Sequence, residues 1–277
     1  MKNLKNKSVF ITGAASGIGF GMACAFAEQG MRLGLADIDS KALADAEQKL
    51  RSTGVEVISF PLDVADRETL RQVAAAVEAA FGNVHMVCAN AGVGGRIGPL
   101  DEATDEDWDW VTEVNLKGTV NTVQSFLPCL KRHAEGGHIV ITSSMSGIRI
   151  FKPNRGQGIY NTTKFGLMGY GEALSLDLEP LNIGVSILCP GFVDTHISDS
   201  GRNRQSRYGG PFDSVKKGIL PAPGSGGTDP LEYGRWVARA VRENRLYVIT
   251  HTSERHMVEE RHSRLMEAFD YAEQLTK

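Results

Sequence analysis

Short apolar segments alternate with segments of helix length along most of this chain, and this alternation limits the folds available to it. Each apolar segment is bounded by glycine, proline or polar residues. Parallel strands show such continuous apolar runs because helices cover both faces of their sheet. The predicted strands are residues 8–12, 32–36, 55–62, 85–89, 138–142, 184–189 and 247–250. The predicted helices are residues 17–29, 40–51, 65–81, 115–132, 158–178 and 254–275.

This pattern predicts an α/β fold of the Rossmann type, with a doubly wound parallel sheet in three α/β/α layers. The 277 residues fit one such unit, so we expect a single domain over residues 1–277. Residues 196–229 break the alternation and are rich in Gly, Pro, Ser and Arg. Long connections of this kind are commonly functional, so we expect a substrate lid over about 192–229. Residues 254–275 are expected to form a C-terminal helical extension that packs on its own domain, on a second subunit or over the lid.

Composition disfavours several other classes of protein. The net charge is −3 without a long basic run, which argues against nucleic acid or an anionic membrane as the partner. No stretch has the apolar length of a membrane span, and the first residues do not resemble a signal peptide. The four cysteines are scattered in apolar contexts, and the histidines near the C-terminus lack the spacing of a zinc site. We therefore expect a cytoplasmic protein that binds no metal.

A glycine-rich turn joins the first predicted strand to the first predicted helix. It reads Thr-Gly-Ala-Ala-Ser-Gly-Ile-Gly over residues 12–19. Glycines let the backbone approach the phosphates of a dinucleotide, and the helix N-terminus offers unpaired N–H groups with a partial positive charge. A purely structural tight turn is the alternative interpretation.

An acidic residue at the end of the second strand indicates which dinucleotide binds. Asp37 lies 18 positions after Gly19, near the separation of about 20 expected for the acid that accepts hydrogen bonds from the adenosine ribose. A carboxylate there repels a 2′-phosphate, and the nearest basic residue is Lys41. The pattern therefore predicts NAD rather than NADP. Capping of the next helix is the alternative role, and it suits Asp39 better than Asp37.

Tyr160 and Lys164 form a second chemical signal. They stand at positions i and i+4 of a predicted helix and so share one of its faces. A free phenol has a pKa near 10, which is too high for a base at pH 7. One cation at about 4 Å contributes about 4 kcal/mol at an effective dielectric near 20, or about three pKa units. Lys164, helped by the positive nicotinamide of the oxidised cofactor, is therefore expected to bring the pKa of Tyr160 near neutral, so that Tyr160 can exchange a proton with a substrate hydroxyl.

Because these motifs occur in the same order along the chain as in the short-chain dehydrogenase/reductase family, the sequence resembles that family over residues 7–195. Further matches are Asn90-Ala91-Gly92, Asn115, the serine-rich residues 142–147 and Pro190-Gly191. The resemblance implies an NAD-dependent oxidoreductase of a secondary alcohol or ketone that forms a homodimer or homotetramer. It implies a catalytic set of Asn115, Ser144, Tyr160 and Lys164. The cofactor-binding residues that it implies are Gly13, Ser16, Gly17, Ile18, Gly19, Asp37, Ile38, Asp63, Val64, Asn90, Ala91, Gly92, Tyr160, Lys164, Pro190, Gly191, Val193 and Thr195.

One spacing departs from the family pattern. Ser144 and Tyr160 are 16 positions apart, a few more than is commonest in the family. The catalytic role is assigned to Ser144 because Gly147 follows at the family's offset, and Ser143 and Ser146 remain alternatives. The extra residues fall within 148–157, which we expect to shape the substrate pocket.

The substrate is predicted only as a class. Aromatic and apolar residues of the lid and the loop before the Tyr160 helix favour an apolar, aromatic or ring-containing alcohol: Phe151, Phe192, His196, Tyr208, Pro211 and Phe212. Residues 17–31 and 229–260 look similar to bacterial short-chain dehydrogenases of aromatic alcohols, including those that oxidise lignin-derived β-aryl ethers. Steroid-like alcohols fit the same composition. An NAD-binding regulator without turnover is a second hypothesis, but such a protein should lack part of the Ser-Tyr-Lys set, which is intact here.

Overall fold

Seven parallel strands form one sheet in the order β3-β2-β1-β4-β5-β6-β7 in the computed structural model, which describes residues 1–150, 156–213 and 227–276. The strands are β1 (Ser8–Thr12), β2 (Arg32–Asp37), β3 (Val57–Pro61), β4 (Met86–Ala89), β5 (Gly137–Thr142), β6 (Ile183–Cys189) and β7 (Tyr247–Ile249). The main helices are α1 (Gly17–Glu28), α2 (Ser40–Arg51), α3 (Arg67–Phe81), α4 (Asp105–Thr112), α5 (Gly118–Lys131), α6 (Gly158–Leu178), α7 (Pro230–Glu243) and α8 (Arg255–Leu275). The predicted doubly wound, single-domain α/β fold is confirmed.

The core lies in two layers, one on each face of the sheet. Successive side chains of a strand point to opposite faces, so Phe10 packs with α3, α5 and α6 while Val9 and Ile11 pack with α1, α2 and α7. The rings of Phe10 and Phe126 stack with their centres 4.2 Å apart. Among the described residues, no helix is both long enough and apolar enough to cross a bilayer.

The helix that carries Asn115 differs from the prediction. Helical structure begins at Asp105, ten positions before the predicted start at 115. Thr104 and Asp107 form a reciprocal capping box, which stabilises the first turn within an acidic segment that the sequence analysis left outside the helix. Residues Glu113–Lys117 form a π-helical turn between α4 and α5, and Asn115 lies in it. Such turns are frequent at functional sites.

The sequence analysis missed α7. Asp229 caps this helix by accepting a hydrogen bond from Leu231 N–H at 2.9 Å, and Pro230 occupies its first turn. Tyr233, Val237 and Val241 recur every four residues and are fully buried against α1. An Asp-Pro start with this spacing is a helix signal that was available in the sequence, but the glycine- and proline-rich residues before it obscured it.

Candidate active site

A cavity of about 240 Å³ opens at the carboxyl ends of the strands, beside the point where the strand order reverses between β1 and β4. Ligands of open α/β sheets bind at this position. The predicted site residues in its wall are Gly13, Ser16, Gly17, Ile18, Asp37, Ile38, Asp63, Val64, Asn90, Ala91, Gly92, Ser144, Tyr160, Lys164, Pro190, Gly191, Val193 and Thr195. The two other predicted residues, Gly19 and Asn115, lie behind the wall.

The glycine turn leaves the N-terminus of α1 open to the cavity. Gly17 has a φ of 54°, and a Cβ there would lie 2.8 Å from Cγ2 of Thr195. A Cβ on Gly19 would lie 2.0 Å from the Gly13 carbonyl oxygen. Asp39 caps the N-terminus of α2 with its side chain, whereas Ser16 makes no such hydrogen bond at α1. The first amides of α1 are therefore available for an anion such as a pyrophosphate.

Asp37 links the end of β2 to this turn. Its Oδ2 accepts a hydrogen bond from Ala15 N–H at 3.0 Å, and its Oδ1 accepts one from Asp39 N–H at 3.0 Å. Burial raises the pKa of Asp37 above the usual value for aspartate, although these two N–H groups oppose the rise. A carboxylate has about four acceptor positions, so the side chain can still accept hydrogen bonds from ribose hydroxyls.

Asn90 joins three strands at the bottom of the cavity. Its Nδ2 donates to the Thr12 carbonyl oxygen at 3.0 Å, and its Oδ1 accepts from Thr142 Oγ1 at 2.9 Å. Its backbone N–H donates to Thr12 Oγ1, as does that of Ala91. Asn90 therefore fixes the relative positions of β1, β4 and β5, whose ends form the cavity floor.

Tyr160 and Ser144 lie together on the cavity wall. Burial raises the pKa of the Tyr160 phenol above its usual value, and a hydrogen bond with Ser144 partly opposes the rise. Lys164 Nζ lies 5.5 Å from the centre of the Tyr160 ring. The expectation that Lys164 and the positive nicotinamide together lower the pKa of Tyr160 concerns the protein with its cofactor bound, and it stays a prediction.

Lys164 is buried behind Tyr160. Its Nζ donates a hydrogen bond to the Thr142 carbonyl oxygen at 2.9 Å. Removal from water lowers the pKa of this ammonium group to about 8. The side chain is therefore still a cation at neutral pH, and its burial lowers the free energy of unfolding. Its charge points at the end of β5.

Asn115 is fully buried next to Lys164. Its Oδ1 accepts from Val93 N–H at 2.7 Å, and its Nδ2 donates to the Val93 carbonyl oxygen at 2.9 Å. A Cβ built on Gly92 would contact both Asn115 Oδ1 and Lys164 Nζ, at 3.3 and 3.5 Å. Asn115 thus holds the segment after β4 in place, close to the lysine but away from the cavity.

The three candidate serines have different surroundings. Ser144 Oγ accepts a hydrogen bond from Ser146 N–H at 3.0 Å and lies in the cavity wall. Ser143 Oγ also reaches the wall, but it donates to the Lys164 carbonyl oxygen at 2.9 Å. Ser146 is outside the wall. The geometry thus favours Ser144 among the three.

The predicted lid covers residues 192–229, of which 214–226 lie outside the described residues, as do residues 151–155 of the loop before α6. Arg204 holds the described part against α4. Its Nη1 lies 2.9 Å from Asp107 Oδ1, and its guanidinium lies 5.4 Å from the ring centres of Trp110 and Phe212. The residues of this segment in the cavity wall are Phe192, Val193, Thr195, His196, Ile197, Ser200, Arg202, Asn203 and Gln205.

The lid also reaches Asp63 at the far end of the cavity. Arg207 Nη2 and Gln205 Nε2 both donate to Asp63 Oδ2, while Ala65 N–H donates to Oδ1 at 2.9 Å. Near the opposite end, Ser200 Oγ accepts a hydrogen bond from Gly94 N–H at 2.9 Å. Residues 192–213 therefore run along the length of the cavity rather than beside the predicted catalytic residues alone.

The aromatic wall differs from the expected one. Phe192 and His196 line the cavity, but Tyr208 and Phe212 pack into the core, the latter edge-on to Trp110 at 5.8 Å. Val93, Trp110, Val114 and Ile197 complete the apolar surface. Trp110 is not among the residues predicted for the pocket, because a tryptophan in a helix gives no sign in the sequence of reaching a cavity.

A histidine pair lies at the other end of the sheet. The side chains of His85, His133 and Glu135 approach within 4.8 Å of one another. Lys7 pairs with Glu135, and the Nδ1 of His85 accepts a hydrogen bond from Ser8 N–H at 3.2 Å. Because that bond leaves the proton on Nε2 of a neutral His85, the cluster is arranged for hydrogen bonding rather than for a cation.

Comparison with known proteins places this geometry in a family. The family model described as short chain dehydrogenase matches residues 7–206. The C alpha-dehydrogenase of Sphingobium sp. (strain NBRC 103272 / SYK-6) is 31% identical over 262 residues, which cover 94% of this chain and 85% of that protein. A short chain dehydrogenase/reductase from Burkholderia phymatum, solved in complex with NAD, is 34% identical with a TM-score of 0.91, and the match covers 97% of each chain.

A third relative resembles the chain over its whole length. The apo form of LigO from Sphingobium sp. strain SYK-6 is 32% identical with a TM-score of 0.81, and the match covers 100% of this chain and 96% of that one. The likenesses confirm the predicted family and its class of enzyme, an NAD-dependent alcohol dehydrogenase or ketone reductase. The chain belongs to the short chain dehydrogenase family.

Proposed function

We propose that this enzyme oxidises an apolar, aromatic secondary alcohol with NAD and that Tyr160 moves the hydroxyl proton. The observation that carries the proposal is the contact of Tyr160 with Ser144 on a cavity wall that also contains the open N-terminus of α1. The apolar side chains of Val93, Trp110 and Ile197 in this wall support an aromatic substrate.

The proposed chemistry divides between the cofactor and the chain. NAD, when bound, accepts the hydride and brings the positive charge of its nicotinamide ring. Ser144 donates a hydrogen bond that holds the substrate oxygen, and Tyr160 Oη takes the hydroxyl proton. Lys164 stabilises the phenolate, and Asn115 positions the lysine and its route to solvent. Acid–base assistance of this kind is worth about 10²–10⁴-fold.

The proposed cofactor site follows the cavity from α1 to Asp63. The amides of Gly17 and Ile18 bind the pyrophosphate, Asp37 binds the adenosine ribose, and Asp63 with Val64 contacts the adenine. Asn90, Ala91, Gly92 and Pro190, Gly191, Val193 and Thr195 enclose the nicotinamide half. The carboxylate at Asp37 favours NAD over NADP.

The lid proposal rests on its ion pairs. Residues 192–213 are held by Arg204 on Asp107 and by Arg207 on Asp63, and they contribute nine residues to the cavity wall. We propose that this segment closes the site over both substrate and cofactor.

The cysteines support a cytoplasmic location. The three buried cysteines and the half-buried Cys24 are all free thiols, which fits a reducing cytoplasm.

A panel of alcohols tests the proposal. Initial rates of NAD reduction would be compared for benzylic, steroid, aliphatic and sugar secondary alcohols, with NADP in parallel. We expect the highest kcat/KM for a benzylic alcohol with NAD. A steroid as the best substrate would favour the steroid alternative. NAD binding without turnover on any alcohol would favour a regulator, and it would contradict the proposal.

A further inference from the structure

One buried acceptor beside the cavity has no partner within the described chain. Among the described residues, five buried side-chain polar atoms make no hydrogen bond, and they belong to Ser125, His133, His138, Arg204 and Gln205. Of these five residues, Gln205 alone lines the cavity. A buried polar atom without a partner costs free energy. The Oε1 atom of Gln205 is therefore arranged for a hydrogen-bond donor that comes from a ligand.

The contacts of Asp63 decide which end of the Gln205 amide is free. Gln205 Nε2 donates to Asp63 Oδ2 at 3.4 Å, and Arg207 Nη2 donates to the same oxygen. A carboxylate offers only acceptors, so the amide nitrogen faces Asp63 and the amide oxygen is left for another group. Ala65 N–H donates to Asp63 Oδ1 at 2.9 Å. About one of the four acceptor positions of the carboxylate therefore stays open as well.

The place of Gln205 along the sheet indicates which ligand group it meets. Asp63 follows β3, whereas Ser144 follows β5, which is four strands away in the sheet order. At about 4.8 Å per strand this separation is about 19 Å, so a substrate oxygen held by Ser144 is out of reach of Gln205. Under the proposed cofactor site, on which this inference rests, the group at the Asp63 end of the cavity is the adenine ring.

We propose that Gln205 binds the exocyclic amino group of the adenine, with Oε1 accepting one of its two N–H hydrogens and Asp63 accepting the other. The last side-chain torsion of glutamine is soft, so the amide turns towards the ring without a shift of the backbone. Glutamine pairs with adenine in the same way in the major groove of DNA, where its amide oxygen accepts from the amino group. A residue of the predicted lid thus takes part in selecting the base of the cofactor, remote from the reacting atoms.

A cofactor without the amino group tests this contact. Nicotinamide hypoxanthine dinucleotide carries an oxygen in place of that group, so it presents an acceptor to both Gln205 Oε1 and Asp63. Isothermal titration calorimetry would give the dissociation constants of this dinucleotide and of NAD for the unmodified protein, Gln205→Met and Arg207→Met. We expect the unmodified protein to bind the hypoxanthine form about tenfold more weakly than NAD. Gln205→Met should reduce this ratio about fivefold, which is the contribution of one neutral hydrogen bond.

Arg207→Met is the matched control. It removes an ion pair from the same carboxylate but leaves the Gln205 amide in place. We therefore expect it to change the dissociation constants of both dinucleotides by the same factor, so that their ratio stays that of the unmodified protein.

The ratio of the two constants separates recognition of the base from a purely structural role. A glutamine that only held the lid in place would alter the affinity for both dinucleotides equally, and an unchanged ratio in Gln205→Met would overturn the proposal. Gln205→Asn is the second variant, because it keeps the amide but withdraws it by one carbon, and we expect the same fall in the ratio. Failure of the unmodified protein to bind NAD would refute the proposed cofactor itself, whereas NAD binding with equal ratios refutes the role of Gln205 alone.

Discussion

The two halves of the cavity are built differently. The proposed cofactor half consists of strand ends and the glycine turn, held by backbone hydrogen bonds and by Asn90 and Asp37. The proposed substrate half consists of residues 192–213 and α4, held by side-chain ion pairs such as Arg204–Asp107. A Cβ on Gly19 would lie 2.0 Å from the Gly13 carbonyl oxygen, so backbone geometry restricts the residues of the glycine turn. The proposed substrate half depends instead on pairs of side chains that lie far apart in the chain, such as Arg204 and Asp107.

Lys164 gives the largest expected effect, because it belongs to the cofactor half but acts on the substrate. Lys164→Met should lower kcat by about 10²–10⁴-fold. It should also stabilise the protein at pH 7 by on the order of 1–3 kcal/mol, since burial lowers the pKa of this lysine from 10.5 to about 8. The cost of the buried charge is complete below pH 8 and disappears as the pH rises towards 10.5. Thermal unfolding at pH 7 and pH 10 would show a gain in Tm that shrinks at the higher pH, and an equal gain at both would contradict this origin.

Asp37 tests the cofactor half alone. Asp37→Ser removes the carboxylate that repels a 2′-phosphate, so the ratio of kcat/KM for NADP to that for NAD should rise on the order of 10- to 100-fold, or about 1.4–2.8 kcal/mol. The KM for the alcohol should not change. Asp39→Ser is the matched control, because Asp39 caps α2 through Ala42 N–H. An unchanged cofactor ratio in Asp37→Ser would refute the role of Asp37.

Arg204 tests the substrate half alone. Arg204→Met keeps the apolar stem between Trp110 and Phe212 but removes the ion pair with buried Asp107, so the KM for the alcohol should rise about tenfold. Arg96→Met is the control, since Arg96 pairs with the same carboxylate at 3.8 Å from outside the lid. The two halves are separable if NAD binding stays constant in Arg204→Met. A parallel loss of NAD affinity would show that the lid serves both halves, as the contact of Arg207 with Asp63 suggests.

The pH dependence gives the smallest expected effect. Burial raises the pKa of Tyr160, and alcohol oxidation needs its deprotonated form while carbonyl reduction needs the protonated one. kcat/KM for oxidation should therefore rise several-fold from pH 7 to pH 9, whereas that for reduction should stay level, because the phenol remains mostly protonated over this range. Initial rates in both directions across this range would measure it. Profiles that move in the same direction would be incompatible with one group serving both reactions.

The same contrast explains what the sequence could predict. Strand periodicity and the ordered motifs located the sheet, Asp37, Asn90 and Tyr160, because these depend on local chain geometry. The ion pair between Arg204 and Asp107 was not predictable, since the two residues are 97 positions apart and neither belongs to a motif. The burial that raises the pKa of Tyr160 in the protein alone was not predictable for a similar reason, since the desolvation of the phenol depends on the assembled pocket.

The proton transfer by Tyr160 is the central claim, and one substitution measures it directly. Turnover of the best benzylic alcohol would be compared between the unmodified enzyme and Tyr160→Phe at saturating NAD, with the dissociation constant for NAD measured on both. The account predicts a loss of at least 10²-fold in kcat with NAD affinity unchanged. Turnover within a few-fold of the unmodified enzyme would show that another group moves the proton.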